Sequence, residues 1–245
     1  MKLLVLGNSD TAGLFSGGDT WTQVLRERLS GSGADAATVI EIRFSATGAG
    51  AAAFAQRKVR EFEPDVVILP VGTFAFTVGF VWVRVRSLFG ARVAGWFRRI
   101  EEGFDRRTRR PGMKSAGINR FGRRAARAVF GAQAMASAES LAESYCDVVR
   151  SIARAEEVRV VVMVYPPEGG PYLVRGNLAE KRSQFLAAVE TESENHLYQV
   201  IRAEGVFAHK SGGKPMTTPD GFHLNAEGHR LLGEALAGAI LRVTP

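Results

Sequence analysis

The sequence predicts an α/β protein in which helices cover both faces of an open, mostly parallel sheet. Short apolar runs typical of buried strands alternate five times with segments of helical periodicity along the 245 residues. The first run, and the third run after its initial Asp65, are apolar at every position, which is typical of parallel strands buried on both faces. A hydrophobic content of 46% is ample for the core of one large domain. We therefore expect a single domain over residues 1–245.

The first half of the chain supplies three strands and two helices. Asp19 or Thr20 is suited to cap the first helix, whose apolar residues Trp21, Val24, Leu25 and Leu29 share one face. The residues around the second strand alternate between β-branched and polar types, and Pro64 closes the Ala-rich second helix. The predicted strands are residues 3–6, 38–44 and 65–71. The first predicted helix begins near residue 20, and the second is residues 51–62.

The second half supplies two more strands and three helices. A double proline, Pro166-Pro167, stops the fourth strand, and Asn225 is suited to cap the last helix. The predicted helices are residues 137–155, residues 178–203 and the segment after residue 225; the predicted strands are residues 158–164 and 206–208. Between the third strand and the next helix lies an excursion over about residues 76–135. That connection is far longer than usual and predicts a functional insertion or a lid.

Charge is concentrated in that excursion. The chain carries 32 basic and 25 acidic residues, a net charge of +7. Residues 78–130 hold 14 of the bases and three of the acids, or +11, which leaves 18 bases and 22 acids, or −4, for the remainder. A single cysteine, Cys146, excludes an intramolecular disulfide and fits a reducing compartment. The chain starts without the pattern of a signal peptide, so we expect a cytoplasmic protein, peripheral at the membrane as an alternative.

Polar residues follow the predicted strands at one edge of the sheet. In open α/β sheets, ligands bind beyond the carboxyl ends of the strands. Ser9 follows strand one, Gly48 follows strand two, and Gly72-Thr73 follows strand three. Asp220 and His223 follow the predicted fifth strand. A serine, a histidine and a carboxylate can therefore meet there as a hydrolytic triad, with His223 taking the proton of Ser9 and Asp220 orienting its ring.

Structural alternatives exist for each of these residues. Ser9 lies in a run of ordinary turn formers, and Gly48 is equally suited to a turn. His196 and His229 lie in predicted helices, where surface or core roles are commoner. His209 follows the predicted fifth strand and is the reserve base. Cys146, among apolar neighbours on a helix, is expected to be an inert core residue.

The motifs together resemble the SGNH, or GDSL, hydrolase superfamily. The resemblance rests on "GNSDT" at residues 7–11, the glycine after strand two, "GT" at residues 72–73, "VYPP" after strand four and "DGFHLN" at residues 220–225. It implies a flavodoxin-like three-layer sandwich with a central parallel five-stranded sheet, and hydrolysis of ester, thioester or acetyl groups without metal or cofactor. By position it implies Ser9 as nucleophile, His223 as base, Asp220 as its partner and Gly48 as an oxyanion donor.

One motif departs from the family pattern. The family has Gly-x-Asn-Asp after strand three, with the asparagine side chain donating to the oxyanion, whereas this sequence has Gly72-Thr73-Phe74-Ala75. Phe74 cannot donate a hydrogen bond, and losing one donor typically costs roughly 10²–10³ in kcat. Either Thr73 or an arginine of the insertion substitutes, or the enzyme is slow, or the protein binds without catalysis. Transfer of the acyl group to another acceptor is a further alternative.

The insertion combines helical periodicity with basic residues. From Val85 the apolar residues recur as one stripe through Phe104, and arginines flank it. The stripe either packs on the domain with a solvated basic face, or the insertion covers an acyl pocket as a lid. For residues 80–130 we expect an anionic membrane surface or an acidic carrier protein bearing the acyl ester as partner; nucleic acid ranks last, because no recognised binding motif accompanies the basic residues.

Overall fold

The computed structural model describes most of the chain. The described residues are 1–7, 11, 18–31, 37–48, 50–72, 74–108, 128–154, 160–165, 178–195, 198–210, 216–218 and 223–243. The chain divides into two compact units. The first consists of Met1–Phe74, Ala138–Pro171 and Ala179–Pro245, and the second of Ala75–Ser137 and Tyr172–Leu178.

A parallel sheet forms the centre of the first unit. Its strands are β1 (Lys2–Gly7), β2 (Thr38–Arg43), β3 (Val66–Pro70), β4 (Val160–Tyr165) and β5 (Tyr198–Arg202). They lie in the order β2-β1-β3-β4-β5, which is the order of flavodoxin-like sheets. Leu4 of β1 lies opposite Ile40 on one side and Val67 on the other. The predicted α/β class with a parallel sheet is confirmed.

Helices follow the strands in alternation. In chain order they are α1 (Trp21–Ser30), α2 (Ala51–Phe62), α3 (Phe74–Thr77), α4 (Val81–Thr108), α5 (Ala138–Ala153), α6 (Leu178–Asn195), α7 (Ala203–Lys210) and α8 (Ala226–Val243).

The caps of α1 and α8 are side chains that the sequence predicts as caps. Of the two candidates for α1, Thr20 is the cap. Its hydroxyl accepts from the Gln23 backbone N–H at 3.3 Å, and the Gln23 side-chain oxygen Oε1 accepts from the Thr20 backbone N–H at 2.7 Å. This reciprocal pair satisfies two backbone donors of the first turn. For α8, the Asn225 side-chain oxygen accepts from the Gly228 N–H at 2.9 Å. Both helix starts are thus fixed by local hydrogen bonds.

Apolar side chains fill both faces of the sheet. On one face, α1 and α8 pack together over β1, where Leu3 and Val5 join a cluster with Trp21, Leu25 and Leu236. The two helices approach so closely that a Cβ at Gly233 would lie 2.7 Å from the Trp21 carbonyl oxygen. Since side chains alternate along a strand, Leu4 and Leu6 face the other way. The α2–α5 pair covers that side, joined by a hydrogen bond from the Ser151 hydroxyl to the Ala52 carbonyl at 3.1 Å.

The predicted fifth strand is wrong. Residues 206–208 lie inside α7, and the edge strand β5 begins earlier, at Tyr198. The predicted helix over residues 178–203 therefore ends at Asn195. The segment "YQVIR" carries polar residues because an edge strand is covered less completely, and this composition also suits a helix. Its pairing with residues 161–165 of β4 decides in favour of a strand.

In the second unit, α4 changes direction at Gly90. This residue has φ 83° and ψ 176°, a backbone conformation outside the helical region that favours glycine. The Arg98 guanidinium carbon lies 5.7 Å from the centroid of the Trp82 ring. A straight helix would separate the two positions by roughly 24 Å along its axis, beyond the reach of both side chains. The sequence prediction of one uninterrupted helical stripe from Val85 to Phe104 is therefore wrong at Gly90.

Candidate active site

The carboxyl ends of β1, β2 and β3 define a single edge of the sheet. The chain leaves β1 for β2 on one side and later returns to β3 on the other, so β1 and β3 form the topological switch point where such sheets bind ligands. Gly7 ends β1, and its carbonyl accepts from the Phe44 N–H at 2.9 Å, which extends the ladder to the last residue. The segment that carries Ser9 starts at this point.

The candidate nucleophile lies outside the described residues, but its two flanks are described. Asn8, Ser9 and Asp10 separate Gly7 from Thr11. The Thr11 side chain is 4% exposed and lies against Gly7, where an added Cβ would come within 2.6 Å of it. Gly7 is therefore required by the close approach of Thr11, and this contact brings the two ends of the Ser9 segment together.

His223 precedes the cap of α8. Its side chain is half-buried, and its carbonyl accepts from the Thr218 N–H at 2.8 Å. The next residue, Leu224, is buried and forms an antiparallel bridge with Thr217. Asp220, the predicted partner of His223, lies outside the described residues. The backbone from His223 to the helix cap is thus held in place.

A second histidine connects α8 to α1. The Trp21 N–H donates to Nδ1 of His229 at 3.2 Å, which satisfies one of the free donors in the first turn of α1. His229 is fully buried, and burial together with nearby His223 lowers the pKa of its imidazole to about 4. The ring is therefore neutral at pH 7, with its proton on Nε2, and that atom has no hydrogen-bond partner among the described residues.

This hydrogen bond places His223 on the same side as the strand ends. As the crossover between parallel strands β1 and β2, α1 starts at the carboxyl edge of the sheet. The first turn of α8 lies beside the first turn of α1 through His229 and Trp21. His223 stands directly before α8, and its charge is close enough to affect His229. The structure therefore brings His223 to the edge where the Ser9 segment begins.

Gly48 lies after β2, as predicted. It is exposed, and its carbonyl accepts from the Ala51 N–H at 3.1 Å at the start of α2. An added Cβ would meet only the Ser45 carbonyl oxygen, at 3.7 Å, among its surroundings. The fold itself does not require a glycine here. Nearby Gly50 differs, because its φ of 82° at the start of α2 does favour glycine.

The segment after β3 has a residue that sequence reasoning did not assign to the site. The Gly72 N–H donates to the Tyr145 hydroxyl at 2.6 Å, and that hydroxyl lies 3.3 Å from the Pro70 carbonyl, to which it donates. Burial raises the pKa of Tyr145 to about 12, so it is a neutral phenol at pH 7. The Gly72 amide is thereby used within the protein. Because a buried tyrosine hydroxyl needs a partner, Tyr145 on the apolar face of a predicted helix was the available signal.

Phe74 covers Gly72. Its side chain is 43% exposed, and its Cε1 atom would lie 3.0 Å from a Cβ at Gly72. An aromatic ring thus lies beside the strand end where the resemblance places a donor side chain. Thr73, the predicted substitute donor, lies outside the described residues.

The other candidate residues have structural surroundings. His209 lies in α7 and is exposed, so its assignment as a reserve base after a fifth strand is wrong, because that strand ends at Arg202. His196 lies outside the described residues. Cys146 is buried, and burial and the nearby Glu192 carboxylate raise the pKa of its thiol.

Across the described ranges, no group of three or more histidine, cysteine, aspartate or glutamate side chains could hold a metal ion. Within those same parts of the chain, no helix has both the length and the apolar character needed to cross a bilayer.

Comparison with known proteins places the chain among acyl hydrolases. The sequence model of the GDSL-like Lipase/Acylhydrolase family matches residues 5–231. No curated protein matches the chain. Among solved structures, the acetyl xylan esterase AlAXEase is similar at a TM-score of 0.57, with 15% identity over 98% of this chain and 100% of that one. The lipase Lip_vut3 from a goat rumen metagenome is similar at a TM-score of 0.56, with 15% identity over 98% of this chain and 97% of that one. TesA is similar at a TM-score of 0.54, with 17% identity over 100% of both chains. At these identities the structural likeness concerns the fold.

Proposed function

Because this chain belongs to the GDSL-like lipase/acylhydrolase family, we propose that it is a serine ester hydrolase. The nucleophile is Ser9, the base is His223, and Asp220 orients the base. One observation carries the proposal: the first turn of α8 is bonded to the first turn of α1, which holds His223 at the strand edge where the Ser9 segment leaves β1. The family match spans both residues, from position 5 to position 231.

The proposed reaction has two half-reactions. His223 removes the hydroxyl proton of Ser9 as the oxygen attacks the ester carbonyl, and it gives that proton to the departing alcohol when the tetrahedral intermediate collapses. The product is an acyl-serine. Water then attacks the acyl group as His223 takes its proton, and His223 passes that proton to the departing Ser9 oxygen, which releases the serine and the carboxylic acid. Every proton passes through one imidazole, so no metal or cofactor is needed.

The oxyanion is expected to be bound by backbone amides. The Ser9 N–H and the Gly48 N–H are the proposed donors, because Phe74 offers none and the Gly72 N–H is bonded to Tyr145. The Thr73 hydroxyl is the proposed third donor. If it does not reach the oxyanion, the enzyme lacks a donor whose loss typically lowers kcat by roughly 10²–10³. We accordingly expect slower turnover than in family members that carry asparagine at this position.

The similar structures suggest which esters to test. They include an acetyl xylan esterase and a lipase, so acetyl esters of sugars and longer acyl esters belong in one panel. Adding glycerol as a competing alcohol and measuring its acylated product separates acyl transfer from hydrolysis, since both start from the same acyl-serine.

Covalent labelling tests the proposal directly. A fluorophosphonate probe is expected to modify the wild-type chain at Ser9, and the modification should disappear in Ser9→Ala and in His223→Ala. His209→Ala is the matched control, because that histidine is exposed on α7, and it should label normally. A wild-type chain that stays unlabelled while folded would favour a non-catalytic binding protein, the alternative that Phe74 supports.

A further inference from the structure

Large apolar side chains are exposed where α4 changes direction. Leu88 and Phe89 come immediately before Gly90 and are 50% and 56% exposed; Val93 and Trp96 follow it and are 40% and 61% exposed. We call these four residues the apolar bend. Val85 and Ala94, on the same helix, are buried, whereas every residue from Arg86 to Val93 is exposed. A cluster of this kind in a water-exposed position indicates an interaction surface.

Basic side chains surround the apolar bend. Residues 81–99 contain five arginines, at positions 84, 86, 92, 98 and 99, and no acidic residue. All five are exposed. Arg92 and Arg99 are seven residues apart and share a flank of the helix, beside the stripe that contains Val93 and Trp96. The segment therefore presents apolar and cationic groups side by side, with a formal charge of +5.

Aromatic contacts hold this surface in shape. The Phe89 ring meets the Phe130 ring edge-on at a centroid distance of 6.3 Å. On the other side of the bend, the Arg98 guanidinium lies over the Trp82 ring at 5.7 Å. At Gly90 itself, a Cβ would meet nothing within 4 Å, so the turn of the chain is open to its surroundings.

We infer that the apolar bend docks on an anionic lipid bilayer. Leu88, Phe89, Val93 and Trp96 enter the boundary between headgroups and acyl chains, and the flanking arginines bind lipid phosphates. Tryptophan and arginine are suited to this boundary because each combines an apolar body with a polar end. A lipid surface accepts exposed apolar side chains without a matching protein shape. An acidic protein partner would need carboxylates placed to match each arginine, so the lipid surface is the simpler fit.

Vesicle flotation with the full chain tests this inference. We expect binding to phosphatidylcholine vesicles that contain phosphatidylglycerol, weakening with added salt, and little binding to pure phosphatidylcholine. Arg92→Gln with Arg99→Gln should weaken partitioning about 25-fold, at about fivefold for each arginine. Leu88→Ser with Trp96→Ser should weaken it at least about tenfold. Arg60→Gln and Leu241→Ser remove an exposed arginine and an exposed leucine elsewhere and should bind as the wild type does.

Fluorescence gives a second readout. Binding should shift the Trp96 emission to shorter wavelength, and the shift should vanish in Trp96→Phe although this variant still floats. Because the two double variants change exposed side chains of different chemistry, misfolding of either one, seen by circular dichroism, leaves the other as the test.

Three results would overturn the inference. The first is that neither vesicle type binds the wild-type chain. The second is that both double variants bind as the wild type does. The third is that polyglutamate, a soluble acidic polypeptide, binds the chain while anionic vesicles do not, which would assign the surface to a protein partner.

Discussion

Arginines of the first unit pair with carboxylates of the same unit, whereas residues 81–99 of α4 contain five arginines and no acidic residue. Arg150 binds both carboxylate oxygens of Glu192, at 2.6 and 2.8 Å. Arg230 binds Glu227 and Glu234 along α8. Between residues 81 and 99, five arginines share the sequence with exposed apolar side chains, and the next acids in the sequence are Glu101 and Glu102. The ion pairs described in the first unit are internal, whereas we propose that the α4 surface binds a partner outside the chain.

The same contrast predicts what substitutions do. A group with an internal partner contributes to stability, and a group reserved for a substrate or a partner contributes to activity or binding. Within the first unit, we expect the proposed base His223 to contribute to activity and His229, which accepts from the Trp21 N–H, to contribute to stability.

The largest expected effect is on catalysis. His223→Ala should lower kcat/KM for ester hydrolysis roughly 10⁴-fold or more, because the proposed base is lost. Its thermal unfolding temperature should stay close to that of the wild type, since the side chain is only half-buried. Steady-state kinetics with calorimetry measure both. Wild-type kinetics in a folded His223→Ala variant would break the division between the two histidines.

The next effect concerns stability against pH. His229 has a pKa of about 4 in the folded chain and 6.5 ordinarily, so between these values the unfolded chain binds a proton that the folded chain does not. Stability should therefore fall as the pH is lowered from 6.5 to 4, by about 3 kcal/mol at most, and be unaffected above pH 7.

Urea unfolding across this pH range measures that loss. The matched control is His229→Asn, whose side-chain oxygen can still accept from the Trp21 N–H but cannot take up a proton. The control should lose clearly less stability than the wild type. Equal losses in both chains would mean that the acid sensitivity arises elsewhere.

Tyr145→Phe should cost about 1–3 kcal/mol in unfolding free energy, because the Gly72 N–H loses its acceptor. It should also lower kcat, since Gly72 adjoins the proposed Thr73 donor. Tyr198→Phe is the matched control: its hydroxyl donates to the Val189 carbonyl in the same unit, away from the strand edge of the site. This control should lose stability at unchanged kcat. A Tyr145→Phe enzyme with unchanged kcat would reduce the residue to a structural role.

Gly48→Ala should separate activity from stability. Its Cβ would meet only the Ser45 carbonyl oxygen at 3.7 Å, so the unfolding free energy should change by no more than about 0.5 kcal/mol. The methyl group would narrow the approach to the proposed oxyanion donor, and we expect kcat/KM to fall about tenfold. Gly7→Ala is the opposite case: overlap with Thr11 should cost roughly 1–3 kcal/mol. A stable, fully active Gly48→Ala variant would mean that the substrate does not approach the Gly48 Cα closely.

The smallest expected effect is on the stability of the α4 surface. Arg92→Gln with Arg99→Gln should change the unfolding free energy by less than about 0.5 kcal/mol, because both side chains are exposed. Denaturant unfolding of this variant, set beside its vesicle binding, shows whether the arginines serve a partner. A large loss of stability would mean that they bind carboxylates within the chain.

Local patterns predicted most of the first unit. The fully apolar β3, the bounds of α2 and the caps at Thr20 and Asn225 depend on neighbours within a few positions, and the sequence displays those neighbours. The fifth strand was missed because β5 is identified by its pairing with β4, more than thirty positions away.

The site itself was less predictable than the strands. Strand order and the pairing of α1 with α8 place Gly48 and His223 at the carboxyl edge of the sheet, and the sequence motifs contain both residues. Tyr145 bonds to Gly72 across 73 positions, and no local pattern reports such a contact. At Gly90 the apolar spacing continues through the sequence, while the glycine permits a backbone conformation that ends the helix. Periodicity alone does not distinguish a glycine that continues a helix from one that redirects it.

The bond between Trp21 and His229 has a consequence for biosynthesis. The two residues are 208 positions apart, so α1 leaves the ribosome long before its partner helix exists. At typical translation rates the interval is about 10–40 s. During that time Trp21 and the apolar face of α1 lack their covering helix, which makes the nascent chain a substrate for chaperones. His223 is also synthesised at the end of this interval, so the unfinished polypeptide lacks the proposed base.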